Sequence, residues 1–144
     1  MKTNKGFSLL ELLIVVAIIL IIATIAIPSL LRSRQAANES AAVANMRNMN
    51  SAQVSYSSAN GGVYGAISDL VSSGLIDSRY AMANFSGFSY SVIISGNSRN
   101  YTAYATAAGT NNSRFDYYST PDFVIRYSTI TTRAPAGHAG QPVQ

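Results

Sequence analysis

The chain has 144 residues, room for one modest domain, and an apolar N-terminal stretch takes a large share of it. Charged residues make up only 11% of it while Ser, Asn, Thr, Gly and Ala abound, so hydroxyl and amide groups supply the solubility, as suits a protein outside the cytoplasm. The lack of cysteine excludes a disulfide framework, a thiolate nucleophile and a cysteine-based metal site. Of the net charge of +4, Lys2 and Lys5 precede the apolar run, and the remaining eight arginines against six carboxylates are too few and too scattered for a nucleic-acid binder.

From Leu9 to Ile27 the sequence is almost entirely Leu, Ile, Val and Ala, interrupted by Glu11 and Thr24. Its length approaches the roughly 20 residues that span a bilayer. Lys2 and Lys5 before it hold the N-terminus in the cytoplasm and direct the rest of the chain outward. Pro28-Ser29-Leu30-Leu31 lacks the small-x-small pattern of ordinary signal cleavage, so the apolar run is expected to stay with the mature protein. Glu11 costs roughly 3 kcal/mol if it lies at the centre of a bilayer, and its place in this run calls for either an interfacial position or a partner of opposite charge.

Apolar residues then recur at helical spacing through Leu30, Leu31, Ala36, Ala37, Ala41, Val43, Met46, Met49 and Val54. The pattern predicts one helix from about Phe7 to about Tyr56, roughly 75 Å long. Pro28 removes a backbone donor and predicts a kink, or local melting, over residues 23–27. In the second half, Val43, Met46, Met49, Val54 and Tyr56 are expected to face a protein core.

Asn60-Gly61-Gly62 ends the helix, and Gly61 to Gly65, lacking the Lys-Ser/Thr ending of a phosphate loop, reads as a turn. Ser68 to Gly74 predicts a short helix begun by a Ser or Asp cap. Phe85–Ser95 and Asn100–Ala107 predict a β-hairpin, and Phe123–Ser128 a third antiparallel strand. The final Gly- and Pro-rich residues read as disordered, with His138 solvated in them.

Gly6-Phe7-Ser8-Leu9-Leu10-Glu11-Leu12-Leu13-Ile14-Val15 resembles the processing and methylation motif of type IV prepilins and of the pseudopilins of type II secretion. The resemblance implies the α+β pilin fold, a long helix packed on a small antiparallel sheet. It implies a leader at 1–6, a membrane and filament-core helix at 7–28, an amphipathic second half at 29–58, a head domain at 59–131 and a disordered tail at 132–144. By the same resemblance prepilin peptidase cuts between Gly6 and Phe7 and methylates the new Phe7 amine. Phe7 and Glu11 then serve assembly, the amine of one subunit pairing with the carboxylate of its neighbour. The implied partners are further copies of the chain, the peptidase, the membrane, and an inner-membrane assembly platform with its ATPase, with no cofactor. The implied location is the inner membrane before assembly and an extracellular filament afterwards.

Two alternatives accompany this reading: a major-type pseudopilin, and an adhesive or DNA-binding minor pilin using Arg99, Arg114, Arg126 and Arg133 on one face. Nucleic acid is not the expected partner, and no catalytic constellation supports an enzyme. No metal site is expected; Asp116 and Asp122, near Asn111 and Asn112, offer oxygen ligands for calcium but match no calcium motif in spacing. The many tyrosines and phenylalanines are expected in a head-domain core and adhesive surface, since Phe7 and Tyr56 alone lie on the long helix.

Overall fold

The structure is a computed structural model that describes residues 6–128 and 140–143. The chain divides into two compact units, Met1–Arg34 and Gln35–Gln144. Helix α1, Leu9–Ala59, contributes its first half to one and its second half to the other.

In the first unit α1 is apolar all round, and its Leu, Ile and Val side chains are exposed on every face. A helix of this composition has no solvated side, so it needs lipid or other helices around it. α1 runs unbroken through Pro28, so the melting expected at residues 23–27 is corrected to continuous helix. The reason is local: proline deprives only one carbonyl of its usual donor, and Ala23, Ala26, Leu30 and Leu31 around it are strong helix formers. The Thr24 hydroxyl donates back to the Leu20 carbonyl at 2.7 Å, keeping a polar group satisfied within the apolar segment.

In the second unit the rest of α1 lies on an antiparallel five-stranded sheet of order β1-β2-β3-β4-β5, with β1 Phe88–Ser95, β2 Asn100–Ala107, β3 Asp116–Ser119, β4 Ile125–Ser128 and β5 Gln141–Pro142. The core sits between helix and sheet: Ala42, Met46 and Met49 from α1 meet Phe88, Tyr101, Ala103 and Ala105 from the sheet. Alanines on β2 leave room for the methionines, and Tyr80, Phe85 and Tyr90 meet edge-on or tilted beside them. Val43 and Tyr56 pack against this core as expected, but Val54 is 45% exposed, because it lies on the helix flank turned from the sheet.

The helix ends as predicted. Gly61 and Gly62 adopt φ of 70° and 84°, and the Gly62 N–H closes on the Ser57 carbonyl at 2.8 Å. Helix α2, Ile67–Ser72, starts one residue earlier than the predicted cap; Asp69 reaches back to accept from the Ala66 N–H at 2.9 Å instead of serving as the cap itself. A short 3-10 helix, Ser78–Ala81, then leads to the sheet.

The hairpin formed by β1 and β2 has the predicted turn, with Ser95 opposite Asn100. Two strands depart from expectation. The run 123–128 is the fourth strand, beginning only at Ile125, because Asp122 and Phe123 form a turn; β3 lies before it. In the expected disordered tail, Gln141–Pro142 is ordered as β5 against β4, and Pro142 is tolerated there because β5 is an edge strand. Residues 132–139, with His138 and Arg133, lie outside the described residues.

Candidate functional site: an N-terminal assembly segment and a laced head

Gly6 precedes the helix, and a Cβ added there would meet nothing within 4 Å, so its backbone stands clear of the described chain. Phe7 is 80% exposed. Glu11 falls in the first turn of α1, where the positive end of the helix dipole favours a carboxylate. Among the described residues it has no hydrogen-bond or ion-pair partner. An unobstructed glycine, an exposed aromatic residue and a carboxylate unengaged among the described residues therefore lie within six residues, at the entry to a helix long and apolar enough to cross a membrane.

The second half of α1 carries a row of polar side chains along the margins of its buried face, each reaching a different part of the head. Asn38 donates to the Asn112 carbonyl at 2.9 Å. Glu39 receives Arg114 Nε at 3.1 Å and Nη2 at 2.7 Å, the Arg114 N–H at 2.8 Å, and the Ser113 hydroxyl. Asn45 bonds both Tyr80 and Tyr90. Asn50, buried, donates to the Ser119 hydroxyl and the Phe123 carbonyl and accepts from the Tyr101 hydroxyl at 3.0 Å. Gln53, fully buried, exchanges two bonds with the Gly65 backbone, 2.6 Å to its carbonyl and 3.1 Å from its N–H. Buried polar groups are tolerated when partnered, and these partners fix the helix in one rotation and one register on the sheet.

The electrostatics follow from this lacing. Burial pushes the Glu39 carboxyl up, but the hydrogen bonds from Arg114 and Ser113 outweigh it and hold it below the usual carboxylate range. The Arg126 guanidinium, helped by the Thr120 hydroxyl and the Val124 N–H, brings Asp122 down to about 2. Burial raises the Tyr90 and Tyr117 hydroxyls to about 12, so both remain neutral, and the Tyr90 hydroxyl accepts from the Asn45 amide at 2.9 Å.

The calcium candidates are occupied by the protein itself: Asp116 is buried and accepts from the Ala107 N–H at 2.8 Å, while Asp122 binds Arg126. No group of three or more metal-ligating side chains is gathered among the described residues. The arginines proposed for a DNA-binding face are divided likewise. Arg114 and Arg126 are committed to Glu39 and Asp122, Arg99 is exposed at the β1–β2 turn, and Arg133 lies outside the described residues. Sequence reasoning missed Glu39, Asn50, Gln53 and Phe123. The available signal was the placement of Glu39, Asn50 and Gln53 at helical spacing alongside Ala42, Met46 and Met49.

Comparison with known proteins agrees with this geometry. Residues 1–27 match the family model of the prokaryotic N-terminal methylation motif. The chain is 34% identical over 131 residues to the type IV wide pilus major component PilA4 of Thermus thermophilus, covering 91% of this chain and 92% of that protein. It is 46% identical over 53 residues to the type IV major pilin protein PilA of Myxococcus xanthus, covering 37% of this chain and 24% of that protein. No solved structure matches. With a full-length relative, the methylation motif and a long apolar helix on a small antiparallel sheet in agreement, the chain belongs to the type IV pilins.

Proposed function

We propose that this pilin is the repeating subunit of a type IV pilus, matured by removal of residues 1–6 and assembled from the inner membrane through its apolar helix. One observation carries the reading: the N-terminal half of α1 is apolar on every face with its large side chains exposed, yet bears Glu11 in its first turn, within a matched methylation motif. Before assembly, lipid covers that half, with the N-terminus on the cytoplasmic side. In the filament, neighbouring copies of the same helix replace the lipid. Hydrocarbon contacts give little preference for one axial position over another, so a charged pair is needed to set the stagger between helices.

Cleavage between Gly6 and Phe7 by prepilin peptidase creates that pair. It leaves an amine on Phe7 that the enzyme methylates without removing its charge, and the Glu11 carboxylate of an adjoining subunit is the complementary group. Losing one member of a charge pair in a low-dielectric core costs about 3–5 kcal/mol, enough to decide where a helix stops sliding. Pro28 marks the place where the filament-core half can bend away from the head. An inner-membrane platform driven by an ATPase supplies the work of extracting the helix from lipid. The chain's own role is structural.

The test is mass spectrometry of the N-terminal peptide from sheared extracellular filaments and, separately, from membranes. N-methylated Phe7 in abundant filaments is the expected result. The same terminus confined to membranes would move the chain to a secretion pseudopilus, and an intact Met1 or a cut beyond Ile27 would overturn the maturation scheme.

A further inference from the structure

Asn60 is the one asparagine in the chain that a glycine follows, and it stands in the turn that stops α1. An asparagine carries its amide carbon within reach of the next residue's backbone nitrogen, and attack by that nitrogen closes a small ring. A side chain on the following residue obstructs the attack, and glycine has none. The structure removes other obstacles at this position. A Cβ built on Gly61 or Gly62 would meet nothing within 4 Å, so the space around the pair is open. Among the described residues the Gly61 N–H has no hydrogen-bond partner: the Ser57 carbonyl goes to the Gly62 N–H and the Tyr56 carbonyl to the Asn60 N–H. The attacking nitrogen is therefore unclaimed. Asn60 is exposed, and its amide is held by one surface bond, Nδ2 to the Tyr56 carbonyl at 2.9 Å, for which water competes.

Other asparagines in turns lack this combination. Asn97 is exposed but precedes Ser98, whose carbonyl is bound by the Tyr64 N–H at 2.7 Å. Asn112 is half-buried, its carbonyl accepts from Asn38, and the Ser113 that follows it is buried and bonded to Glu39.

We propose that Asn60 is a site of spontaneous deamidation. The Gly61 nitrogen, giving its proton to base, bonds to the Asn60 side-chain carbon; the amide nitrogen leaves as ammonia and a cyclic imide remains. Water opens the imide at either of its carbonyls, giving aspartate or isoaspartate. One water is consumed and one ammonia released, with nothing oxidised or reduced. Either product replaces the donor to the Tyr56 carbonyl by a carboxylate at the negative end of a long helix, and no basic residue stands in the last turn to offset it. Isoaspartate also adds a carbon to the backbone. The loop beyond cannot take up the extra length, because Tyr64 is bonded to Ser98 and Gly65 to Gln53 through both its N–H and its carbonyl. The strain falls on the last turn of α1.

Freshly purified full chain in detergent is held for days at mildly alkaline pH, beside the same chain unfolded in urea, and its peptides are read by tandem mass spectrometry. In the folded chain Asn60 should become the acid about tenfold faster than Asn97 or Asn112, and within several-fold of its own rate in urea. In heavy-oxygen water the new carboxyl should carry one oxygen from solvent. An Asn60 that converts in urea but stays an amide in the folded chain overturns the site, as does conversion no faster than at Asn97. Gly61→Ala should slow conversion several-fold in urea, where a folding defect has no bearing, and an unchanged rate overturns attack by the Gly61 nitrogen. Asn60→Asp, which fixes one product, should melt below the parent; an equal or higher melting temperature overturns the damage to the helix stop.

Discussion

Arg114 grips Glu39 across 75 residues of chain with both its side chain and its own N–H, so one residue of the β2–β3 connection is anchored to the helix at three points. The geometry is asymmetric. The Glu39 carboxylate is almost wholly covered, while the Arg114 side chain remains 59% exposed. Removing the arginine side chain leaves a covered charge with only the residue-114 N–H and the Ser113 hydroxyl to hold it, whereas removing the carboxylate releases a guanidinium that water can already reach.

Arg114→Ala should therefore cost more than Glu39→Gln, about 1.5–3 kcal/mol for lost hydrogen bonds to a charged group. Thermal unfolding of the full chain in detergent, followed by the near-ultraviolet signal of its tyrosines, measures this. Glu39 has a lower pKa folded than unfolded, so the unfolded chain binds more protons. Its contribution is complete above the unfolded value of about 4.5 and is lost as pH falls toward the lower folded one. The parent's melting temperature should drop in that window, and Glu39→Gln should flatten the drop.

The long helix, its glycine stop and the first hairpin were legible because each is local: periodicity, a Gly-Gly pair and a turn between alternating strands. β3 was not. Asp116, Tyr117, Tyr118 and Ser119 are all buried, so four residues covered on both faces leave no alternation to detect. β4 was legible as a run but displaced, because the first residues of that run are consumed by a turn whose left-handed Phe123 depends on Asp122 and Asn50. The methylation motif over residues 1–27 was legible as a local run. The lacing was not, since Glu39, Asn50 and Gln53 look like ordinary polar residues of a solvated helix until the sheet is placed against them.

Gln53 offers a sharper test of that lacing. Gln53→Ala leaves the Gly65 N–H and carbonyl without their side-chain partner in a buried position and should cost about 2–4 kcal/mol. Gln53→Glu keeps the shape but turns an acceptor toward the Gly65 carbonyl. The introduced carboxyl should have a raised pKa when folded, so that variant should regain stability as pH falls through it, opposite in sign to the Glu39 effect. Melting curves at two pH values distinguish the cases.

Phe123→Gly exchanges a strained backbone for a permissive one. Relief of left-handed strain, about 1–2 kcal/mol, is offset by the roughly 0.5–1 kcal/mol of extra chain entropy that glycine brings to the unfolded state. The melting temperature should stay level or rise, against the usual loss from deleting an aromatic side chain. A marked fall would mean that the ring, and not the turn, holds this part of the head.

At the N-terminus, replacing Gly6 with a bulky residue should leave uncleaved full-length protein in the membrane, read by mass spectrometry. Glu11→Val should be cleaved and inserted normally while extracellular filament falls at least about tenfold, as loss of a buried charge pair worth several kcal/mol requires. Normal filament yield from Glu11→Val would show that the helices find their stagger without it.

The bonds from Asn38, Glu39, Asn45, Asn50 and Gln53 have a mechanical meaning as well as a thermodynamic one. They run from successive turns of one helix to separate strands and loops, so a pull along the helix axis loads them side by side. Fasteners in parallel share a force, whereas fasteners in series give way one at a time. A fibre under tension transmits its load through each subunit's helix, and this arrangement spreads that load over the whole head before any single strand is peeled from the sheet.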